Sequence, residues 1–275
     1  MDRVKVNIRD TNFGFPEQTS SCYMGTNKFV EWEPGNNLVS KTCWFTDLCF
    51  TDVQRAKPGV IKRKVAMVNE PRAIYPQVYD WISQNNRLFD FVLTYDKELL
   101  DRGENFLYYP HGRCWINNYN NDKKTKMCSI FASPKRTTPG HLLRHEVIDR
   151  FKEKMDLFGK EYTPVEYKED GLSEYYYSVT IENSIQDYYW TEKIVDCFAT
   201  KTVPIFWGSR TVIDHFNANG IIFFDTIDEL CDILDNMSPA EYENMLPAIE
   251  ENFSKVEQYR IPEDWCFKQY PFLFE

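Results

Sequence analysis

The chain has 275 residues, of which 43% are hydrophobic and 16% aromatic, and its formal net charge at pH 7 is -10. This length suits two ordinary domains or one large one, and the apolar fraction is sufficient for real cores. The acidic balance argues against a nucleic-acid-binding protein, which normally carries a basic excess. An anionic ligand would therefore have to be bound by hydrogen-bond donors close to it, and not by the net charge of the protein. The aromatic content suits carbohydrate binding, although aromatic-rich cores alone would give the same composition.

The cysteines and the amino terminus indicate the compartment. Eight cysteines occur without a Cys-x-x-Cys pair, and several lie within apolar runs. This usage predicts buried, reduced thiols rather than disulfides or a zinc site. The first residues lack the apolar core of a secretory signal, and no run of about 18 apolar residues occurs. The sequence therefore predicts a soluble, cytoplasmic chain without a transmembrane anchor.

Strands and helices alternate in the first half, which is typical of α/β proteins. Apolar runs predict strands at Val4–Ile8, Thr42–Thr46, Val65–Asn69 and Phe91–Thr94. A helix is predicted from Tyr75 to Asn85, because its apolar residues share one face. A turn at 109–112 and a polar loop at 117–122 follow. We place a domain boundary after residue 122.

The second half repeats the alternation of strands and helices. The predicted elements are a strand at Met127–Phe131, a helix at His141–Lys154, and strands at Met155–Phe158 and Ile221–Phe224. Thr226 and Ser238 each begin a capping box for a further helix. The prediction is thus two Rossmann-like domains, residues 1–122 and 123–275, that face a central cleft, with the carboxyl-terminal tail packing back on the body.

The most informative segment is 177–208, which reads as strand, polar loop, helix and strand. Its polar residues follow a strand, where open α/β sheets bind ligands. Thr191 is the predicted N-cap, so Lys193 lies in the first helical turn, where a cation is unfavourable unless an anion lies between. The anion we expect is the diphosphate of a nucleotide sugar. Read alone, Glu192 could equally be a residue that favours the helix start and Asn183 could equally form a turn, whereas extension of Lys193 to solvent is the less favoured reading of that residue.

Three motifs of this segment together form a family signature. They are Val-Thr-Ile-Glu-Asn-Ser, Tyr-Trp-Thr-Glu-Lys-Ile and Val-Pro-Ile-Phe-Trp-Gly. In this order they resemble glycosyltransferase family 10, the α-1,3/1,4-fucosyltransferases, and specifically its soluble microbial or viral members. The resemblance implies a GT-B fold whose first domain binds the acceptor and whose second binds the donor. It also implies inverting transfer of a sugar, by default fucose from GDP-fucose, to a hydroxyl of a carbohydrate acceptor.

The resemblance assigns donor contacts position by position. Asn183, Tyr189, Glu192 and Lys193 match donor-binding positions, with Lys193 on the phosphates and Glu192 on the ribose or the sugar. Arg144 matches the phosphate-binding arginine of the family. A guanidinium can bind diphosphate oxygens in a bidentate fork. Without the resemblance, Arg144 reads equally well as a surface residue beside an apolar stripe.

The catalytic base implied by the resemblance is Glu70, in the run Val-Ala-Met-Val-Asn-Glu-Pro. The family places a glutamate just after a strand of the first domain. Glu70 follows an apolar strand and should lie at its carboxyl end, where partial desolvation would raise its pKa and improve it as a base. A fully solvated loop carboxylate is the alternative, and spacing alone favours it.

The sequence predicts no metal site and no obligatory cofactor besides the nucleotide-sugar substrate. Asp-x-Asp, the metal-bridging motif of GT-A enzymes, does not occur, and the four histidines show no ligand spacing. Arg144, Lys193 and helix amides would take over the charge of a metal.

Departures from the family pattern, such as Ile181 and Trp207, leave the donor open. The alternatives are the same fold with another nucleotide sugar such as UDP-xylose, a non-catalytic sugar or nucleotide binder, and a structural interaction protein without nucleotide affinity. The expected partners are a nucleotide sugar and a glycan acceptor, and not nucleic acid.

Overall fold

The structure is a computed structural model that describes residues 3–11, 26–35, 40–56, 60–119 and 123–275. The chain forms two compact units. The first contains Met1–His111 together with Ile261–Glu275, and the second contains Gly112–Arg260. The sequence prediction differs from this division in two ways: it put the boundary after residue 122, and it assigned the tail to the second domain.

Elements of the described ranges are numbered in chain order. The strands are β1 (Val4–Arg9), β2 (Val30–Pro34), β3 (Thr42–Thr46), β4 (Arg63–Met67), β5 (Phe91–Thr94), β6 (Phe106–Tyr108), β7 (Lys126–Phe131), β8 (Asp156–Phe158), β9 (Tyr175–Ile181), β10 (Val203–Trp207) and β11 (Ile222–Phe223). The helices are α1 (Pro76–Asn85), α2 (Lys97–Leu100), α3 (Pro139–Phe151), α4 (Glu192–Ala199), α5 (Ile227–Asn236), α6 (Pro239–Tyr259) and α7 (Pro262–Gln269).

The first unit is built on a parallel sheet of order β2-β1-β3-β4-β5-β6. Helix α1 buries Val78, Tyr79 and Ile82 against this sheet. The tail joins the unit through ring contacts of Trp265 on α7 with Tyr108 and of Phe272 with Phe91. The Tyr270 hydroxyl also donates to the Tyr108 carbonyl at 2.9 Å. These contacts explain why the last fifteen residues belong with the first unit rather than the second.

The second unit has a parallel sheet of order β11-β10-β9-β7-β8. The chain passes from β7 outward to β8 and then returns to the other side of β7 as β9. The strand order therefore reverses between β7 and β9, and in open α/β sheets ligands bind at the carboxyl ends of the strands beside such a point. Helices α3 and α4 begin on the two sides of this reversal.

Most of the predicted elements are confirmed. Strands β3 and β5 have the predicted bounds, and the predicted helix at Tyr75–Asn85 is α1, one residue shorter. The helix predicted to reach Lys154 ends at Phe151. Residues 109–112, predicted as a turn, have no regular structure or turn. Strands β2 and β6 and helix α7 were not predicted, because each is short or lacks a clear periodicity.

The helix starts agree with the capping residues of the sequence. Thr191 caps α4 by accepting from the Lys193 N–H, and Thr226 forms the predicted capping box with Glu229. Ser238 accepts from the Glu241 N–H, so this half of the second predicted box is present. Side-chain caps of this kind satisfy backbone N–H groups that have no partner within the helix.

Candidate functional site

The candidate site of the second unit lies at the carboxyl end of β9, where Glu182 and Asn183 follow the strand. Helix α3 begins directly beside them, and the Gly140 N–H donates to the Asn183 carbonyl at 3.0 Å. A Cβ atom at residue 140 would lie 1.7 Å from the Glu182 carbonyl oxygen. Only glycine therefore allows α3 to start so close to the end of the central strand.

Arg144, one turn further along α3, is buried with only 6% of its surface exposed. Its Nε donates to the Ile181 carbonyl at 3.1 Å, and its Nη2 donates to the same carbonyl. The Nη2 also donates to Asn183 Oδ1 at 3.2 Å. Among the described residues Nη1 has no hydrogen-bond partner. Burial lowers the pKa of Arg144, while the carboxylates of Glu182 and Glu192 and the phenol of Tyr189 act in the opposite direction.

The carboxylate of Glu182 has no exposed surface and joins β9 to α4. It accepts from the Thr191 backbone N–H at 2.8 Å and from the Thr191 hydroxyl at 2.9 and 3.0 Å. Lys193 Nζ lies 3.3 Å from Glu182 Oε2. Glu182 belongs to the motif Val-Thr-Ile-Glu-Asn-Ser, but no role was predicted for it. The signal that could have identified Glu182 in the sequence is the position of its carboxylate directly after an apolar strand.

This ion pair changes the interpretation of Lys193. From the sequence alone, a cation in the first turn of α4 is expected to need a ligand anion that compensates its charge. In the structure Glu182 already provides a negative charge, and Lys193 Nζ also lies 3.3 Å from Glu192 Oε1 and 2.9 Å from the Thr191 hydroxyl. The position of Lys193 alone is therefore not sufficient to require a ligand. Its side chain is 24% exposed, so it is neither buried nor fully extended into solvent.

The five predicted donor-binding residues lie close together. Asn183 contacts Arg144 directly, and Lys193 contacts Glu192. Tyr189, which is buried, and Glu192, which is partly buried, both act on the pKa of Arg144. The structure thus brings together residues that are up to 49 positions apart in the printed sequence. Their roles in binding stay predictions.

The hydroxyl of Ser184, beside Asn183, is a further polar group of the site. Its Oγ is buried and has no hydrogen-bond partner in the part of the chain that the structure describes. Most buried polar atoms in proteins have a partner, so this hydroxyl stands out.

A buried ion pair on α4 was missed by the sequence analysis. Asp196, with no exposed surface, accepts from Lys168 Nζ at 2.6 Å and from the Trp115 backbone N–H at 2.6 Å. Although burial opposes it, the charge of Asp196 raises the pKa of Lys168. The pair fixes α4 to the segments that carry residues 115 and 168. The sequence offered no local signal for it, because the partners are far apart along the chain.

In the first unit, Glu70 lies three residues beyond the carboxyl end of β4 and is half-buried. Its backbone is fixed on both sides. Asp47 Oδ1 accepts from the Asn69 N–H at 2.8 Å, and Oδ2 accepts from the Glu70 N–H at 3.3 Å. The hydroxyls of Tyr79 and Tyr95 donate to the carbonyls of Glu70 and Asn69 at 2.8 and 3.2 Å. Four hydrogen bonds therefore hold the backbone on which the predicted base lies.

Asp47 is the carboxylate that accepts from the backbone N–H groups of Asn69 and Glu70, and it was not predicted from the sequence. It follows β3 directly and has a φ of 34°, a left-handed conformation that non-glycine residues rarely adopt. Burial, together with the charges of Glu70 and Asp10, raises its pKa to about 7 against the opposing effect of the two backbone donors. The charge of Glu70 thus disfavours the ionisation of Asp47, and carboxylates with pKa values shifted by burial and a neighbouring charge are common in sites of proton transfer.

Within the described ranges, no group of three or more His, Cys, Asp or Glu side chains could hold a metal ion. None of the helices in those ranges combines the length and apolar character that crossing a bilayer requires.

Comparisons with known proteins agree with this geometry. The family model described as "Glycosyltransferase family 10 (fucosyltransferase) C-term" matches residues 121–259, just over half of the chain. An alpha-(1,3)-fucosyltransferase, FucT, of Helicobacter pylori is 36% identical over 73 residues. The matched segment is 26% of this chain but spans only 15% of that relative.

Solved structures of alpha1,3-fucosyltransferase share the fold. One superposes with a TM-score of 0.60 at 17% identity and covers 94% of this chain and 88% of the other. A structure of alpha1,3-fucosyltransferase with GDP-fucose gives a TM-score of 0.56 at 17% identity and covers 94% and 90%. The two parallel Rossmann-like sheets and this similarity identify the GT-B fold, as the sequence predicted. Since the family model also covers more than half of its residues, this chain belongs to glycosyltransferase family 10, the fucosyltransferase family.

Proposed function

We propose that this protein is an inverting glycosyltransferase that moves fucose from GDP-fucose to a hydroxyl of a carbohydrate acceptor. The observation that carries the proposal is the convergence of Arg144, Asn183 and Lys193 around the carboxyl end of β9. Family membership supports the reaction class. The similar fold whose solved structure contains GDP-fucose supports the choice of donor.

The donor residues would act on the diphosphate leaving group. Arg144 still has one guanidinium nitrogen without a partner among the described residues, so it can donate to a phosphate oxygen while its other nitrogens hold the end of β9. Lys193 can turn from Glu182 toward the second phosphate. Fixed positive charge stabilises the charge that develops on the leaving group, and this is often the largest electrostatic contribution to catalysis. No metal ion is needed in this proposal.

Glu70 would act as the general base. Its carboxylate takes the proton of the acceptor hydroxyl while the oxygen attacks the anomeric carbon from the face opposite the diphosphate. The new glycosidic C–O bond forms as the bond to the diphosphate breaks, GDP departs, and the configuration inverts. A positioned base of this kind contributes about 10²–10⁴ in rate. The four hydrogen bonds around the backbone of residues 69 and 70 support such a positioned role.

A donor panel tests the proposal. The purified protein is incubated with GDP-fucose, other GDP-sugars and UDP-sugars including UDP-xylose, with and without a panel of glycan acceptors, and the released nucleotide is measured. We expect acceptor-dependent release of GDP from GDP-fucose. Release of UDP from a UDP-sugar would identify that UDP-sugar as the donor in place of GDP-fucose. Nucleotide binding without turnover on any acceptor would favour the non-catalytic binder, and no binding at all would favour an interaction protein.

We also propose that the protein acts in a reducing compartment such as the cytoplasm. The seven cysteines of the described residues are all free thiols, and six of them are buried.

A further inference from the structure

Asp47 is a carboxylate of the first unit that has no role yet in the proposed function. It follows β3 directly, and Glu70 follows β4, the parallel neighbour of β3 in the sheet. Asp47 Oδ1 accepts from the Asn69 N–H at 2.8 Å, and its Oδ2 accepts from the Glu70 N–H at 3.3 Å. One side chain therefore spans two successive N–H groups of the segment that carries the predicted base.

The carbonyl groups of the same two residues are held by other partners. The Tyr95 hydroxyl donates to the Asn69 carbonyl at 3.2 Å, and the Tyr79 hydroxyl donates to the Glu70 carbonyl at 2.8 Å. All four polar backbone groups of residues 69 and 70 thus have a side-chain partner. Asp47 serves both N–H groups, so its loss would release one side of this segment and leave the carbonyl side held by the tyrosines.

The backbone of Asp47 has an uncommon conformation. Its φ of 34° lies in the left-handed region, which aspartate and asparagine adopt more often than other non-glycine residues. Such conformations carry strain and persist where the surrounding structure fixes them, often at functional sites. An aspartate meets two requirements of this position, because it tolerates the conformation and supplies two acceptor oxygens on a short side chain.

The ionised form of Asp47 is unfavourable for the fold but favourable for these hydrogen bonds. Burial and the charges of Glu70 and Asp10 raise the pKa of Asp47 to about 7, against the opposing effect of the two N–H donors. The charge of Asp47 also acts on Tyr75, before α1, and on Cys49, in the segment after β3. An ionised acceptor forms stronger hydrogen bonds than a neutral one. The N–H groups of residues 69 and 70 are therefore held most firmly once Asp47 has lost its proton.

We propose that Asp47 is a positioning residue of the transfer reaction, which holds the backbone of Glu70 so that the Glu70 carboxylate stays where it accepts the proton of the acceptor hydroxyl. The inference rests on the proposed function, because it assumes that Glu70 is the base. Asp47 itself touches no substrate and takes no proton from it. A misplacement of about 1 Å can cost about 10²-fold in rate, so the loss of Asp47 should lower kcat and leave donor affinity unchanged.

Two substitutions vary the hydrogen bonds of Asp47 while they keep its backbone conformation accessible. Asp47→Gly removes both acceptor oxygens, and Asp47→Asn keeps one of them without the charge. We expect kcat to fall about 10- to 100-fold in Asp47→Gly and by a smaller factor in Asp47→Asn. The Kd for GDP and the unfolding midpoint are measured for each variant, to show that it is folded and binds the nucleotide. Asp101→Asn, which breaks an exposed pair with Lys97 in the same unit, is the control and should keep the native kcat.

The double variant Asp47→Gly/Glu70→Gln shows whether Asp47 acts through Glu70. Once the base is removed there is nothing left to position, so Asp47→Gly should change the residual kcat of Glu70→Gln by less than about twofold. An equal loss of kcat in both backgrounds would mean that Asp47 affects transfer independently of Glu70. That result would overturn the inference, as would an unchanged kcat in the single variant Asp47→Gly.

The pH profile provides a readout that a purely structural role of Asp47 would not give. Native kcat should rise as pH increases through about 7, because Asp47 ionises and its hydrogen bonds strengthen, while its contribution to stability falls over the same range. Activity and stability should therefore change in opposite directions. Asp47→Asn cannot titrate and should lack this rise in kcat. A rise of equal size in Asp47→Asn would assign it to another group and contradict the inference.

Failure of the inference and failure of the proposed function give different results. If Glu70→Gln is inactive while Asp47→Gly keeps the native kcat, Glu70 stays the base and only the role of Asp47 fails. If Glu70→Gln keeps full activity, the assignment of the base fails and the role of Asp47 fails with it. If another nucleotide sugar replaces GDP-fucose as the donor, the same comparisons are made with that donor. Absence of turnover with every donor would overturn both.

Discussion

Lys193 Nζ lies 3.3 Å from Oε2 of Glu182, a carboxylate with no exposed surface at the end of the central strand of its sheet. The same carboxylate accepts both donors of Thr191, the residue that caps α4. One buried charge thus fixes the start of the helix and holds the cation that we assign to the diphosphate. The ion pair holds Lys193 beside the end of β9, and its contribution to stability can be measured.

Replacing Glu182 by Gln should lower the free energy of unfolding by about 1–3 kcal/mol, because an amide has a single acceptor oxygen for the Thr191 donors and no charge for Lys193. Urea unfolding measures this change. Glu174→Gln is the matched control, since it breaks an exposed pair with Lys126 that should contribute at most about 1 kcal/mol. In a double-mutant cycle with Lys193→Met, a coupling energy of zero would contradict the assigned ion pair.

Removing the proposed phosphate contacts should weaken nucleotide binding. Arg144→Ala and Lys193→Ala each delete a charge-assisted hydrogen-bond donor, worth about 1.5–3 kcal/mol, so the Kd for GDP should rise about 10- to 100-fold. Calorimetric titration with GDP measures it. Arg150→Ala serves as the control, because Arg150 is on the same helix but pairs with Glu146 at the surface. Equal affinity in all three variants would remove both residues from the donor site.

Replacing Glu70 by Gln should abolish transfer while leaving donor binding intact. The amide cannot accept the hydroxyl proton, and we expect kcat to fall about 10²–10⁴-fold. The Kd for GDP should remain within about twofold, because Glu70 belongs to the first unit whereas the donor residues belong to the second. The exposed Glu104→Gln in the same unit is the control. Full activity of Glu70→Gln would exclude it as the base.

Gly140→Ala should disturb the site through the backbone. The added Cβ would overlap the Glu182 carbonyl oxygen, so either the start of α3 or the end of β9 must shift. Overpacking of this kind costs about 1–3 kcal/mol, and the movement of Arg144 should also weaken GDP binding. Pro139→Ala, at the exposed preceding position, controls for altered helix propensity. An alanine variant with native stability and native affinity for GDP would contradict the close approach described here.

Asp47 should make stability depend on pH in a particular direction. Its folded pKa is about 7, above the ordinary value of 3.8, so the folded protein binds more protons than the unfolded chain between these values. Stability from this group is therefore present at low pH and is lost as pH rises from about 4 to 7. Asp47→Asn cannot titrate, so the native protein should lose stability relative to this variant between pH 5 and 8. Parallel stability curves from urea unfolding would refute the raised pKa.

The sequence by itself determined the α/β class and most strand and helix positions, and it predicted the residues of the proposed donor site. It could do so because periodicity and capping are local, and because the polar positions after β9 form one continuous segment with Thr191, Glu192 and Lys193. The start of α4 at Glu192 follows directly from the Thr191 cap. Arg144, 39 residues before Asn183, was identified only through resemblance, and its contact with Asn183 depends on the pairing of β7 with β9.

Only the tertiary structure decided which charged side chains contact one another. Glu182 pairs with Lys193, Asp47 supports the backbone of Glu70, and Asp196 pairs with Lys168. Each of these contacts joins residues from different segments. Their energies depend on distance and desolvation, which the order of residues does not contain. The same reason explains the return of residues 261–275 to the first unit, since the aromatic partners of that tail are fixed by packing and not by neighbouring positions in the chain.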